Sequence, residues 1–313
     1  MKRLALAITY IAALAAPAAA GAASTPGSIE EADIRLLAIA ERIQAANAPL
    51  CDRISPALGA ALQSRDQFPP DSDPGFAAPV AFAAMLPDSP LAQAGLAPGA
   101  GLVAIDGQAI ARQPGLEDMP LRDSAHAMLA GRPAGPLLLT VVQGGEQRII
   151  RLEPAGQCRA LVEVLVDEGR TARSDGRVIQ IGLDLMRRAS DDEVAVIFAH
   201  ELAHSVMRHR DRLSSAGARK GLAAEFGHDR RLNAEAEIEA DRLSVHLLAN
   251  AGYDPQVAPA LWRGALGRQL DAGLFRSRIY ASPEERASTL EREIADYLAG
   301  GAPSWPGHLL AKR

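Results

Sequence analysis

His200-Glu201-Leu202-Ala203-His204 sets two imidazoles four residues apart. On a helix that spacing turns both rings to one face, where they can ligate a single Zn²⁺, with Glu201 turned toward the water such a metal would hold. The chemistry open to this set is metal-assisted hydrolysis with Glu201 as general base. A hydrolytic zinc needs a third protein ligand and one open position. The run Asn233-Ala-Glu-Ala-Glu237-Ile-Glu-Ala-Asp241 offers the ligand. Glu237 and Asp241 share a helical face, so Glu237 can complete the metal set while Asp241 accepts the free N–H of a ligand histidine. Glu235 and Glu239 are of the right type for the same role, and an acidic helical run is often only a solvated face.

Two helices must position these groups. Ser190-Asp-Asp-Glu193 is a capping box that opens a helix through Val194, Ile197 and Phe198 toward Arg212. The second helix begins near Asn233, runs through Leu248 and is stopped by Gly252 and Pro255. Ahead of them, Leu161 to Val166 and Arg177 to Ile181 read as strands joined through the turn-rich stretch from Asp167 to Gly176. Near the start, Ile29 to Leu50 repeats apolar residues at helical spacing and predicts an amphipathic helix packed on the catalytic half. His209 follows His204 by five residues and Arg stands at 210, so the metzincin third-ligand pattern fails. His126, His209, His228, His246 and His308 are expected to be structural or exposed.

The texture changes after the break at Pro69 to Gly75. Short apolar runs at Val80 to Met85, Gly101 to Ile105, Leu137 to Val142 and Arg148 to Leu152 predict a small β-rich domain over 71–154. Leu86-Pro-Asp-Ser-Pro-Leu-Ala-Gln-Ala-Gly-Leu96, Pro98-Gly99 and Leu102-Val-Ala-Ile-Asp-Gly107 resemble the PDZ-domain pattern, with Gly99-Ala100 where that family has Gly-Asp. The resemblance implies binding of protein C-termini by strand addition and capture of the terminal carboxylate on backbone N–H groups, with Gly75-Phe76 as a candidate for the capturing loop; a structural spacer is the alternative.

Met1-Lys2-Arg3 and the apolar run from Leu4 to Ala20 have the form of an export signal over residues 1–23, with a membrane anchor as the alternative. No later stretch approaches the roughly 18 to 20 apolar residues of a spanning helix, so no transmembrane segment is expected in the mature chain. In an exported protein the lone pair Cys51 and Cys158 is expected to form one disulfide, stapling the two ends of an inserted β-rich domain. A net charge of -5 and an aromatic content of 4% argue against nucleic acid as a partner.

His200 to His204 with Glu237-Ile-Glu-Ala-Asp241 resembles the HtpX, BepA and CAAX-prenyl-protease family of zinc metallopeptidases, over Leu161 to about Leu298. The resemblance implies an α+β fold, in which a mainly helical gluzincin-type protease domain with a small β-sheet is interrupted by the PDZ-like domain. It divides the chain into 24–70, an N-terminal helix and linker of the protease domain; 71–154; 155–300, the catalytic domain; and a tail at 301–313 with little to pack. It implies one Zn²⁺ per chain, held by His200, His204 and the family-register Glu237. Tyr280 stands where the family carries a histidine; a tyrosine there could instead donate to developing negative charge, with a tyrosine packed at a helix start as the alternative. Arg286 is expected to pair with an active-site carboxylate. The activity implied is an endopeptidase for unfolded or extended polypeptides in the periplasm, with substrate added along the strand Arg177 to Ile181. A non-hydrolytic chaperone or adaptor for chain ends is the alternative. An intramembrane protease is disfavoured, because Arg208-His-Arg-Asp-Arg212 is too charged for lipid.

Overall fold

The computed structural model describes residues 26–132, 135–166, 172–217, 227–273 and 281–313. The expected export signal and Tyr280 lie outside these residues. The architecture is α+β, and two hydrophobic clusters divide it.

The β-rich lobe forms around Phe82, Leu102, Leu139 and Val141. The chain enters through α1 (Ile29–Ala46), β1 (Ile54–Pro56) and β2 (Ala60–Ser64), and continues as β3 (Val80–Met85), α2 (Pro90–Gln93), β4 (Gly101–Ile105), β5 (Gln108–Ala109), α3 (Leu121–Gly131), β6 (Leu137–Gln143) and β7 (Glu146–Leu152). Strands pair antiparallel in the order β2-β3-β4-β6-β7, with β5 on β4. Residues 60–64 thus form an edge of this sheet, although the Pro-rich break at 69–75 had grouped them with the catalytic half. That break is a loop within the lobe, because β2 and β3 on either side of it pair with each other. A separate two-stranded sheet closes the neck of the lobe: β8 (Gly156–Cys158) lies antiparallel to β1. Beside it the Cys51–Cys158 disulfide joins the two ends, with Cα atoms 5.5 Å apart.

The second cluster contains α1, β9 (Leu161–Leu165), β10 (Ala172–Ser174), β11 (Val178–Gly182), α4 (Leu183–Arg188), α5 (Asp191–Val206), α6 (His209–Ser215), α7 (Gly227–Asn250), α8 (Val257–Arg263), α9 (Ala265–Gly273), α10 (Pro283–Tyr297) and α11 (Gly307–Leu310). The small sheet has the order β10-β11-β9, with β11 parallel to β9 and antiparallel to β10. α1 starts at the Ser28–Glu31 capping box and buries Leu36, Ile39 and Ile43 in this cluster. Its polar end is fixed too: Asn47 Nδ2 donates to Leu247 O at 2.9 Å, tying α1 to α7. The tail expected to have little to pack instead docks, with Leu309 and Leu310 buried in the same core. His308, Lys312 and Arg313 add ion pairs with Glu293, Glu239 and Asp52.

The lobes are joined by buried charge. Glu163 on β9 accepts from Arg122 on α3, and Arg177 Nη1 sits 2.5 Å from Asp123 of α3. A buried carboxylate of this kind is tolerated because its partner arrives with it. No helix among the described residues is long and apolar enough to cross a membrane.

A candidate metal centre between two helices

α5 is fixed before any chemistry is considered. Ser190 Oγ accepts from Glu193 N and Glu193 Oε2 accepts from Ser190 N, satisfying the first-turn donors. Val194, Val196, Ile197, Phe198, Leu202 and Val206 bury the helix on several sides, and α7 packs along it. His200 and His204, one turn apart, therefore face the turn of α7 that carries Glu237 and Asp241.

Three residues converge there, two through an imidazole nitrogen and Glu237 through both carboxylate oxygens. His200 Nε2 lies 3.2 Å from His204 Nε2 and 3.3 Å from Glu237 Oε2, and His204 Nε2 lies 3.4 Å from Glu237 Oε1. Ligands held tetrahedrally at the 2.0 to 2.1 Å typical of zinc stand about 3.3 Å apart, so this triangle fits one divalent zinc ion and leaves a fourth position open. The chemistry of the donors agrees, since two imidazole nitrogens and a carboxylate suit a borderline-soft cation.

The surroundings set the protons. Asp241 Oδ1 is 3.0 Å from His200 Nδ1, which places that ring's proton on Nδ1 and its lone pair on Nε2, inside the triangle. Arg286 grips the same carboxylate with Nε at 2.7 Å and Nη2 at 2.5 Å, and its guanidinium lies 3.5 Å over the Trp262 ring. Burial opposes the charge of Asp241, but Arg286 and His200 overcome it and hold the carboxyl well below the usual range. Burial lowers His204 to about 3, so this ring is neutral. Burial also acts on His200, yet hydrogen bonds to Asp241 and Glu237 raise it to about 10; the carboxylates that favour a proton there equally favour a metal cation. Glu201 is pushed up to about 7, by burial first and by the Glu237 charge as well, against His200 and Arg286. A carboxyl near 7 is suited to exchanging protons at neutral pH. Beside Glu201 and His200 lies a small apolar recess of Val196, Ile197, Leu261, Trp262 and Leu270. A wider cleft of about 590 Å³ opens past Glu237, Ile238, Glu284 and Arg286.

Of the residues singled out by sequence, His200, Glu201, His204, Glu237, Asp241 and Arg286 are thus gathered here. Glu235 is exposed and pairs with Arg231 at 3.2 Å, outside the triangle. His209 is structural, one of the two outcomes expected of it, and Glu239 is buried beside it rather than on a solvated face. His209 is 2% exposed and its Nδ1 is 2.8 Å from His204 Nδ1, while Glu239 Oε2 is 3.2 Å from His209 Nε2. In an unbroken helix a residue five positions on points about 140° away, which is why the spacing concealed this contact. Arg208 breaks the helix in a left-handed conformation, φ 52°, and turns His209 back. Nothing in the residue types announces a left-handed arginine.

One expectation about strand addition changes. β11 (Val178–Gly182), which takes in most of the stretch Arg177 to Ile181, is paired on both sides, so the edge strands of the small sheet are β10 and β9, and β9 is largely buried. Gly75-Phe76 lies in the loop ahead of β3, which is paired with β2 and β4. The open edges of the larger sheet are β2 and β7.

No family model matches this chain. It is similar to the mitochondrial metalloendopeptidase OMA1 of Arabidopsis thaliana, with 32% identity over 137 residues, covering 34% of this chain and 27% of that protein. The chain is thus a distant homologue of a metalloendopeptidase, and matches about a quarter of that relative's length.

Proposed function

We propose that this chain is a zinc-dependent endopeptidase with His200, His204 and Glu237 as metal ligands and Glu201 as general base. The observation that carries the reading is the triangle of donors 3.2 to 3.4 Å apart with Glu201 next to it in sequence. Bound zinc supplies a Lewis acid that acidifies water and polarises the scissile carbonyl. Glu201 takes a proton from the attacking water on its carboxylate and returns it to the leaving amide nitrogen, as a group near pH 7 can do in both directions. Asp241 keeps the proton of His200 on Nδ1, and Arg286 keeps Asp241 in place.

An extended polypeptide has a place to pair on β10, whose Ala172 lines the recess beside Glu201. Backbone pairing reads conformation more than sequence, so unfolded or misassembled proteins are the proposed substrates. The expected export signal and the PDZ-like residues favour the periplasm as the proposed setting for this work. If the β-rich lobe also takes up chain ends, β2 or β7 is the edge available to them.

The test uses the chain from Ser24 onward, with zinc per chain measured and hydrolysis of an unfolded protein compared between wild type and Glu201→Gln. One zinc in both proteins and a drop of about 10² to 10⁴ in turnover for the variant are expected. A folded, metal-replete wild type without zinc ends the proposal, whereas zinc without cleavage in the wild type turns it into the chaperone or adaptor alternative.

A further inference from the structure

His200 has a carboxylate directly behind it; His204 has a second histidine instead. We infer that His209 and Glu239 form a relay that fixes the tautomer of His204 and thereby keeps its Nε2 open to the metal. The inference rests on the peptidase reading and assigns a positioning role to two residues outside the ligand set.

The assignment of protons follows from the far end inward. Glu239 is buried, 5% exposed, yet it meets Arg212 Nη1 at 2.7 Å and Lys312 Nζ at 3.2 Å. Two cations on one carboxyl keep it an anion, and an ionised carboxylate can only accept. His209 must therefore carry its proton on Nε2, the atom facing Glu239 at 3.2 Å. Its Nδ1 is left as an acceptor, and the atom facing it at 2.8 Å is His204 Nδ1. His204 donates there, so its lone pair is on Nε2, inside the triangle. The reverse assignment fails chemically: a proton on His209 Nδ1 would make His204 accept, and the proton of His204 would then occupy the metal's place.

Glu239 is unable to do this as a direct ligand. It lies two residues from Glu237, hence about 200° around the helix and on its other side. The chain also holds the turn that aims His209. Arg208, the left-handed residue, pairs with Asp52 at 3.1 Å, and Arg53 pairs with Asp211 of α6 at 2.7 Å. Asp52 and Arg53 directly follow the disulfide cysteine Cys51, so the relay is braced from the neck of the β-rich lobe.

The experiment measures zinc affinity by chelator competition for wild type, His209→Leu and His209→Asn, together with the thermal midpoint of each metal-free protein. His209→Leu removes the acceptor and is expected to weaken zinc binding about 10- to 100-fold. His209→Asn puts an amide oxygen near the former Nδ1 and is expected to recover most of that loss, which a purely space-filling role would not do. A folded His209→Leu chain that binds zinc as tightly as wild type overturns the relay alone; a wild type that binds no zinc overturns the peptidase reading and the relay with it. Should the leucine variant fail to fold, the tautomers are read in zinc-loaded wild type from two-bond ¹H–¹⁵N correlations of the histidine rings. A proton on Nε2 of His209 and on Nδ1 of His204 supports the relay, and a proton on His209 Nδ1 overturns it.

Discussion

Helix α7 serves two clusters built from the same residue types, and only one of them suits a metal. At the first, His200, His204 and Glu237 stand 3.2 to 3.4 Å apart, and the outer nitrogen of each ring is occupied by Asp241 or His209. At the second, a single oxygen of Glu293 lies 3.0 Å from His246 Nε2 and 2.7 Å from His308 Nε2. Its other oxygen is 2.5 Å from Arg242, and His246 Nδ1 meets Ser304 Oγ at 2.6 Å. Those are hydrogen-bond contacts with the protons pointing inward at the carboxylate, and Arg242 already supplies the positive charge a metal would bring. Two histidines and a glutamate therefore do not define a metal site. What decides is whether neighbouring groups draw the protons outward, leaving lone pairs at the centre, or leave them to be spent on the carboxylate.

The comparison breaks if the two clusters respond alike to loss of a histidine. His204→Ala is expected to abolish stoichiometric zinc and with it all measurable hydrolysis, while His308→Ala keeps one zinc per chain; metal analysis after dialysis distinguishes them. Stability should show the opposite preference. Glu293→Ala strands His246 and Arg242 around an empty position and is expected to destabilise the fold by about 3 kcal/mol in urea unfolding, with zinc affinity unchanged. The smallest effect concerns pH. Burial raises the Glu293 carboxyl, but hydrogen bonds from His246, Arg242 and His308 outweigh it and hold it below its ordinary value of 4.5. With a depressed folded value, the carboxylate's contribution to stability is present above about 4.5 and is lost as pH falls through the folded value. Unfolding midpoints of wild type should therefore fall between pH 5 and pH 3 more steeply than those of Glu293→Gln; equal slopes would remove Glu293 from the account.

Much of the site was legible because local rules governed it. The capping box at Ser190, the four-residue spacing of His200 and His204, and the shared face of Glu237 and Asp241 all survive folding because α5 and α7 are regular where they carry them. Strands such as Val80–Met85 and Gly101–Ile105 were readable for the same reason, as apolar runs bounded by turn residues. What escaped depended on contacts between distant segments. β10 lies in a stretch rich in turn residues and becomes a strand only by pairing with β11, so this edge of the small sheet was hidden. The tail offers two buried leucines and no periodicity. The contact of His209 with His204 was not legible, because Arg208 ends the helix in a conformation that sequence assigns first to glycine.

The neck at Cys51 and Cys158 has a consequence for how this chain could be rebuilt. Their Cα atoms are 5.5 Å apart, and with about 3.8 Å between successive Cα atoms a single intervening residue can span the gap. Residues 52–157 are in that sense a cassette, removable or exchangeable without rerouting the helices on either side. The exchange would not be silent, however. Glu163 would lose Arg122, and the turn at Arg208 would lose Asp52. Any substitute lobe must bring a buried cation for β9 and replacements for Asp52 and Arg53 at the neck, so a change of accessory module in this architecture reaches the turn that carries His209.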